Sequence, residues 1–369
     1  MKRILSLILI AAMILCSGCA SDVPAEAPES TPSATPGPTP DPRDAVTELV
    51  LSGDGDIAAL SEYKNLQYVN ADACSDYAAL YALKLERPEL TVEWNASVAG
   101  ISVSSLDTGI DLAGCTIDDI EQLETELMYL PCLERVYLID SSLDDGQCRA
   151  LADDLPQIKF VWMLNFAEWT VRTDITCFSS LRDPYVSRRH SDSALAPLFK
   201  YCDELVALDL GHNDLSDLTP IGELTSLKYL ILADNGEIRD ISPLAKLTEL
   251  EYLELFMCYY VKDYSPLCGL SHMKAINLCH NSNVGTLSFA EDMPELEMLW
   301  IMGCSIPGED VQACRELHPD AQIVTSTGSV SATDGGWRLS DMNVALRNAF
   351  SNWRTVDRLV SWDDVTFIK

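Results

Sequence analysis

The stretch Leu205-Val-Ala-Leu-Asp-Leu-Gly-His-Asn213 decides the fold, because four variants of it follow along the chain. Its pattern is Leu-x-x-Leu-x-Leu-x-x-Asn, and it returns every 22 or 23 residues with leucine, isoleucine or methionine at the apolar positions. The later copies begin at Leu227, Leu250, Met273 and Leu296. Such a period is typical of a solenoid, in which each repeat buries its apolar face only against its neighbours. The Leu-x-Leu alternation predicts short strands that stack into a parallel sheet.

The last position of the pattern is expected to hold the turn after each strand. In the five copies it is Asn213, Asn235, Cys258, Asn281 and Cys304. The chain must leave the strand here while its backbone groups are buried. An asparagine side chain can satisfy those groups, and a cysteine can fill the same place as a weak donor. The same offset occurs at Cys74 and Cys115, so we predict a structural role for Cys74, Cys115, Cys258 and Cys304.

A second shared phrase follows three of the turns. It reads Asp217-Leu-Thr-Pro-Ile221, Asp240-Ile-Ser-Pro-Leu244 and Asp263-Tyr-Ser-Pro-Leu267. Serine or threonine before proline favours the start of a short helical turn, with the hydroxyl residue as its cap. Over roughly residues 205–306 the combined pattern resembles the internalin-like class of bacterial leucine-rich repeats. The resemblance implies an α/β solenoid: a leucine-rich repeat horseshoe with a parallel sheet on the concave face and short helices or turns on the convex face.

The first half of the chain repeats itself at a shift of about 68 residues. Pro88-Glu-Leu-Thr-Val-Glu-Trp94 matches Pro156-Gln-Ile-Lys-Phe-Val-Trp162 without a gap. Each copy continues into two alternating runs around a short turn, which predicts β-hairpin insertions in this half. We expect residues 45–204 to form an irregular leucine-rich repeat half and residues 205–325 the regular repeats. The hairpins would either cover core or offer a binding surface.

The first 44 residues predict export and membrane anchoring. Lys2 and Arg3 precede an apolar run over residues 4–15, too short to span a bilayer, so residues 1–18 read as a signal peptide. The small residues before Cys19 resemble a bacterial lipoprotein box, with Cys16 where leucine is commonest. The resemblance implies a lipid on the Cys19 thiol; the alternative is an ordinary secreted protein. Residues 19–44 would then be a lipidated cysteine followed by a tether with seven prolines.

Residues 326–369 combine a Ser/Gly-rich linker with a tail that contains three tryptophans. Leu339, Leu346, Phe350 and Trp353 could share one face of a short helix that begins near Ser340. Three interpretations stay open: a cap on the last repeat, a loosely ordered tail, or a segment that binds a partner.

Charge and motif content narrow the function classes. The net charge of −32 argues against nucleic acid and against direct adhesion to anionic lipid. Once Cys16 and Cys19 are set aside, an odd number of cysteines remains, without the spacing of a zinc site or a disulfide framework. The five histidines form no catalytic motif with serine, cysteine or aspartate. We therefore expect no metal, no cofactor and no catalytic residues.

The positions between and just after the buried leucines predict a binding surface on the concave face. Many carry large apolar or aromatic side chains of the kind that anchor protein interfaces. The proposed ligand-binding residues are Tyr229, Ile231, Tyr252, Phe256, Met257, His280, Trp300 and Met302. The alternative is that the C-terminal tail or a loop folds over this stripe.

The leading hypothesis from the sequence is a non-catalytic, membrane-anchored extracytoplasmic protein that binds a protein or peptide ligand on the concave face. Binding of carbohydrate or cell-wall glycan is the alternative, because aromatic faces also stack on sugars. An enzyme with an unrecognised site is the third hypothesis.

Overall fold

A computed structural model of the protein describes residues 41–180, 189–326 and 336–352. The signal peptide, Cys19 and nearly all of the tether lie outside the described residues, as does Trp353. The described chain is built from short strands. Most have three residues and pair in parallel with the strand of the next repeat.

The first half contains two three-stranded parallel sheets, each followed by a β-hairpin. The first sheet and hairpin are β1 (Glu48–Val50), β2 (Tyr68–Asn70), β3 (Thr91–Glu93), β4 (Asn95–Val98) and β5 (Ile101–Ser104). The second are β6 (Gly109–Asp111), β7 (Arg135–Tyr137), β8 (Lys159–Val161), β9 (Met163–Phe166) and β10 (Trp169–Arg172). The predicted hairpin insertions are therefore confirmed, and β9 begins 68 residues after β4.

The duplication extends to a buried hydroxyl after each hairpin. Ser105 Oγ donates to the Val92 carbonyl at 3.1 Å and accepts from the backbone N–H of Trp94 at 3.1 Å. Thr173 Oγ1 makes the same pair of bonds, to Phe160 at 2.8 Å and from Trp162 at 3.3 Å. Each hydroxyl satisfies the backbone where the parallel sheet gives way to the hairpin. The inward side chains of both hairpins belong to the main core, so the hairpins cover core.

The second half contains one seven-stranded parallel sheet whose strands follow chain order. They are β11 (Cys177–Ser179), β12 (Ala207–Asp209), β13 (Tyr229–Ile231), β14 (Tyr252–Glu254), β15 (Ala275–Asn277), β16 (Met298–Trp300) and β17 (Gln322–Val324). The register pairs equivalent positions of successive repeats, as in Leu208 with Leu230 and Leu230 with Leu253. The leucines therefore form one continuous core, and the residues between them form straight rows on the concave face.

Helices and 3-10 turns connect the strands. Most of those before residue 326 form the other side of the stack, whereas Trp337–Leu339 and Asp341–Asn352 pack on the concave face. The helices are α1 (Tyr77–Glu86), α2 (Ile120–Met128), α3 (Asp145–Asp154), α4 (Asp192–Tyr201), α5 (Thr219–Gly222), α6 (Gly308–Leu317) and α7 (Asp341–Asn352). The 3-10 turns are Pro42–Ala45, Asp54–Glu62, Ser242–Lys246, Ser265–Leu267, Ser288–Asp292 and Trp337–Leu339. The leucine-rich repeat horseshoe predicted from the sequence is confirmed, with the regular repeats in the second half.

The caps observed at the convex turns differ from those predicted. Thr219, Ser242 and Ser265 lie at the first helical position and make no capping bond with their hydroxyls. Instead the aspartate two residues earlier accepts from their backbone N–H, at 2.9 Å for Asp217, 2.8 Å for Asp240 and 2.9 Å for Asp263. A carboxylate is the stronger acceptor at the positive end of a helical turn, which explains the preference.

The turn after each strand carries the predicted ladder of asparagine and cysteine. Asn235 Nδ2 donates to the carbonyls of Leu210 at 2.8 Å and Leu232 at 3.0 Å, and Asn235 Oδ1 accepts from Leu215 N–H at 3.1 Å. Cys258 Sγ donates to the same Leu232 carbonyl at 3.4 Å. Burial raises the pKa of Cys258 to about 12, so its thiol keeps the proton that it donates.

The ladder continues through the remaining turns. Asn281 Nδ2 donates to Leu255 O at 2.7 Å, and Cys304 Sγ donates to Leu278 O at 3.1 Å. Each side chain thus bonds to a carbonyl of the preceding repeat. This confirms the structural role of Cys258 and Cys304, while Cys74 lies buried and Cys115 half-buried in turns of the first half.

We predict that Asn235→Ala lowers the free energy of unfolding by about 2–3 kcal/mol, because the buried N–H of Leu215 loses its partner and the buried carbonyls of Leu210 and Leu232 each lose one of two donors. Asn235→Cys should lose less, since a thiol restores one of the donors, as at Cys258. Denaturant unfolding of both variants measures the difference. The control is Asn283→Ala, which removes an exposed amide that donates to Tyr259 O at 2.8 Å. Equal losses at Asn235 and Asn283 would contradict the ladder's importance.

Candidate functional site

The concave face of the seven-stranded sheet carries a second apolar cluster, separate from the solenoid core. We call residues 336–352, which comprise the 3-10 turn Trp337–Leu339 and helix α7, the cover segment. The sheet contributes Cys177, Ala207, Tyr229, Ile231, Ala233, Tyr252, Phe256, Ala275, Cys279, Trp300 and Met302. The cover segment contributes Trp337, Leu346 and Phe350. The C-terminal segment therefore packs on the face that the sequence marks as a binding surface.

Trp337 is the main aromatic anchor of the cover segment. Its ring lies 5.3 Å from the ring of Tyr252 at an interplanar angle of 36°, and 5.1 Å from the ring of Trp300 at 70°. Only 1% of its surface is exposed. Edge-to-face and tilted contacts at these distances stabilise aromatic pairs beyond simple burial. The indole thus fills the space between a side chain of β14 and a side chain of β16.

Helix α7 holds the second set of anchors. Ser340 Oγ accepts from Asn343 N–H at 3.3 Å and donates to Trp337 O at 2.7 Å, which joins the start of the helix to the preceding turn. Leu346 and Phe350 follow one and two turns later and are buried. Leu339, expected on the same face, is instead exposed because it lies in the 3-10 turn before the helix.

The structure places the proposed ligand-binding residues under this cover, which corrects the expectation of an open stripe. Six of them are buried: Tyr229, Ile231, Tyr252, Phe256, Trp300 and Met302. The other two, Met257 and His280, are half-buried in the turn that follows the strand, with φ angles of 60° and 65°. The covering tail, which the sequence left as an alternative, is what the structure shows. The role of the eight proposed residues in ligand binding stays a prediction.

A polar group at the centre of the covered face joins Tyr252 to Glu254 and Asn343, which were not among the predicted site residues. The Tyr252 hydroxyl donates to the Glu254 carboxylate, and Asn343 Nδ2 of the cover segment lies 3.0 Å from both oxygens. Arg347 Nε in turn donates to Asn343 Oδ1 at 3.2 Å. Burial raises the pKa of Glu254 and raises that of Tyr252 well above 10. Asn343 therefore provides the polar match between cover and sheet.

Asp209 is a second buried carboxylate on the same face. It accepts from Ser179 Oγ at 3.0 Å and from Gly211 N–H at 3.1 Å, and 4% of its surface is exposed. Burial raises its pKa to about 6, against the lowering effect of these hydrogen bonds. Asp209 and Glu254 occupy the same row of the sheet, with Ile231 between them. A sequence signal for both existed: each is an acidic residue between two buried leucines.

An open groove of about 770 Å³ runs beside the cover segment. Tyr229, Met298 and Trp300 line its sheet side, and Met342 lines its helix side. Charged residues form the rim, where Lys274 Nζ lies 2.8 Å from a Glu251 oxygen. The groove shows that the cover segment leaves part of the concave face accessible.

Among residues 41–180, 189–326 and 336–352, no group of three or more His, Cys, Asp or Glu side chains could hold a metal ion. No helix in the same ranges has the length and apolar character needed to cross a membrane.

A family model and three solved structures are similar to parts of this chain. A family model described as leucine-rich repeats in two copies matches residues 203–246. An internalin C2 structure from Listeria monocytogenes is 21% identical, with 46% of this chain and 81% of that chain covered at a TM-score of 0.33. An internalin from the same organism is 18% identical, with 77% and 82% covered at a TM-score of 0.33. A leucine-rich repeat protein of Leptospira interrogans is 16% identical, with 72% and 73% covered at a TM-score of 0.30.

A comparison with curated proteins gave no match. The family match and the aligned rows of the sheet together support the leucine-rich repeat fold, which typically serves interaction between proteins.

The buried Asp209 predicts a specific pH dependence of stability. Its pKa of about 6 lies above its unfolded value of 3.8, so its contribution to stability is present at low pH and is lost as pH rises through about 6. Between pH 7.5 and pH 5 it should add about 1 kcal/mol to the free energy of unfolding. Asp209→Asn should remove this gain, as measured by denaturant titrations at both pH values. Identical pH slopes for variant and wild type would contradict the assignment.

Proposed function

We propose that this chain is an exported, lipid-anchored binding protein that recognises a protein or peptide through the concave face of its regular repeats. The observation that carries the proposal is the second apolar cluster. The solenoid core is already built from the inward leucines, and the concave cluster adds large apolar side chains on a side that solvent usually reaches. A contiguous apolar patch of this kind, when exposed, is a typical mark of an interaction site, and here the cover segment occupies it.

The chemistry of the face favours a polypeptide ligand. Tyr229, Tyr252, Phe256, Trp300 and Met302 belong to residue types that are enriched in protein interfaces. The face already holds a polypeptide, because Trp337 and Phe350 of the cover segment pack into this cluster. No observation on the described face favours a glycan over a polypeptide.

The two buried carboxylates are consistent with a binding protein without catalytic activity. Raised pKa values occur at active sites, but structural networks produce them as well. Asp209 is held by Ser179 and Gly211, and Glu254 is held by Tyr252 and Asn343. These partners belong to the sheet, to the turn after β12 or to the cover, so each carboxylate has a structural use. We therefore assign neither of them a catalytic role.

Export and anchoring rest on the sequence of the first 44 residues. A charged start, a short apolar run and small residues before Cys19 fit a lipoprotein signal. The proline-rich residues that follow would hold the repeats away from the membrane. The membrane contact in this proposal is the lipid alone.

The first test replaces Tyr252, Phe256 and Trp300 by alanine and uses the chain without its signal to capture surface proteins. A partner bound by the wild type should bind the triple variant at least tenfold more weakly, because aromatic anchors dominate interface energies. The control is Tyr259→Ala with Tyr260→Ala, two exposed aromatic residues outside the concave cluster. If the wild type and the triple variant bind the same partners equally well, the concave face is not the binding site. A glycan array probed with the same chains tests the carbohydrate alternative.

The second test examines the attachment of a lipid to Cys19. Cells that express the full chain should incorporate an alkyne-tagged palmitate into the protein. Cys19→Ser should abolish the label, and Cys16→Ser, three residues away, should keep it. Label that persists in Cys19→Ser would reject this site of lipidation.

A further inference from the structure

We infer that the cover segment is a displaceable internal occupant of the binding face, and that the external ligand is a helical peptide segment with the same anchor chemistry. The inference rests on the proposed function and deepens it by naming the class of ligand. It arises from the way the cover segment contacts the sheet.

The anchors of the cover segment follow the spacing of a helix that binds in a groove. Asn343, Leu346 and Phe350 are separated by three and four residues, so they lie on one face of α7, and all three are buried. Trp337 precedes the helix and fills the aromatic space beside Tyr252 and Trp300. Recognition of an amphipathic helix through anchors at this spacing is a general mode of peptide binding. The concave face is thus shaped for a helix with two apolar anchors and one polar anchor.

The contact between cover and sheet is one-sided. Asp341 and Val344 of the same helix are exposed to solvent. A helix of 12 residues is marginal by itself in water, so its order depends on the face to which it binds. The cover segment therefore differs from the core elements, which are held by neighbours on both sides. One-sided contact makes it the part of the described chain that can leave without disturbing the leucine core.

The polar group at the centre of the concave face can form its hydrogen bonds both with the cover segment in place and after it leaves. Tyr252 and Glu254 bond to each other within one strand, and Asn343 adds a donor to both of them. Water can replace that donor when the cover leaves, so an open face keeps its polar groups satisfied. A competing helix must bring a donor of its own to this point, because a buried carboxylate without a partner is costly. Glu254 therefore selects for an amide or a cation at the position of Asn343.

Attachment to the same chain strengthens the internal contact. Only residues 327–335 separate the last described residue of the repeats from the cover segment. A connection of this length gives an effective concentration on the order of 1 mM. A face that is covered in the intact chain thus requires an intrinsic dissociation constant below about 1 mM for the free segment. An external helix then binds with an affinity reduced by the fraction of chains that are covered.

The experiment opens the face in the otherwise intact chain. Leu346→Asp with Phe350→Asp removes both apolar anchors of α7, and Val344→Asp is the matched control on the exposed side. Labelling by a maleimide under native conditions is followed by mass spectrometry at Cys177, which lies in β11 under the cover. The opened variant should label at Cys177 at least tenfold faster than wild type, and Val344→Asp should match wild type. Cys258 in the solenoid core reports any general unfolding, because it should stay protected in all three chains.

A synthetic peptide of residues 336–352 then serves as the external helix. It should bind the opened variant with a dissociation constant below about 1 mM, and bind wild type at least tenfold more weakly. Peptides that carry Leu346→Asp with Phe350→Asp, or Asn343→Ala, should bind the opened variant less well than the native sequence. These peptides separate the apolar anchors from the polar one.

Two outcomes overturn the inference. Protection of Cys177 in the opened variant would show that the cover is not displaced, and failure of the native peptide at millimolar concentration would show that the face does not select such a helix. Neither outcome involves an external partner. A partner that is captured by wild type and lost in the Tyr252, Phe256 and Trp300 variant would still support the proposed function, so the two proposals can fail independently.

Discussion

The donor–acceptor ladder in the turns is the constraint on which the rest of the structure depends. Asn235, Cys258, Asn281 and Cys304 each donate to a backbone carbonyl of the repeat before, as Asn235 does to Leu210. This bond fixes how far one repeat is displaced from the next, so the same positions of every repeat fall into straight rows. The rows keep leucines on one side of the sheet and Tyr229, Tyr252 and Trp300 on the other. Without that alignment neither the core nor the concave cluster would be continuous.

The repeat itself made much of this structure predictable. Its period fixed the strands, their parallel order and the side chains that share the concave face, and the alternation after Trp94 and Trp162 indicated the hairpins. These features depend on contacts between neighbouring repeats, which a local pattern encodes. The capping residue was also encoded locally. The cap was predicted at the Thr219 hydroxyl, whereas the Asp217 carboxylate is the stronger acceptor and forms the cap.

The cover could not be predicted in the same way. Asn343 meets Tyr252 and Glu254 about 90 residues away in sequence, and no periodicity links a helix after the last repeat to a row of the sheet. The apolar stripe was visible from the sequence, since Tyr252, Phe256 and Trp300 stand at concave positions. An apolar stripe has the same sequence signature whether it binds another molecule or a distant part of its own chain. Only the arrangement in space distinguishes the two.

Because the cover segment and the face belong to one chain, their mutual occupancy does not change with the abundance of the protein. Doubling the concentration of the protein leaves the covered fraction of each molecule the same, whereas binding of a separate ligand follows the concentration of that ligand. The cover segment therefore acts as an internal competitor of fixed strength, and this strength is the reference that a ligand must exceed. The length of the connection over residues 327–335 sets that reference, so insertions or deletions there would shift the ligand concentration to which the protein responds without altering any residue of the face.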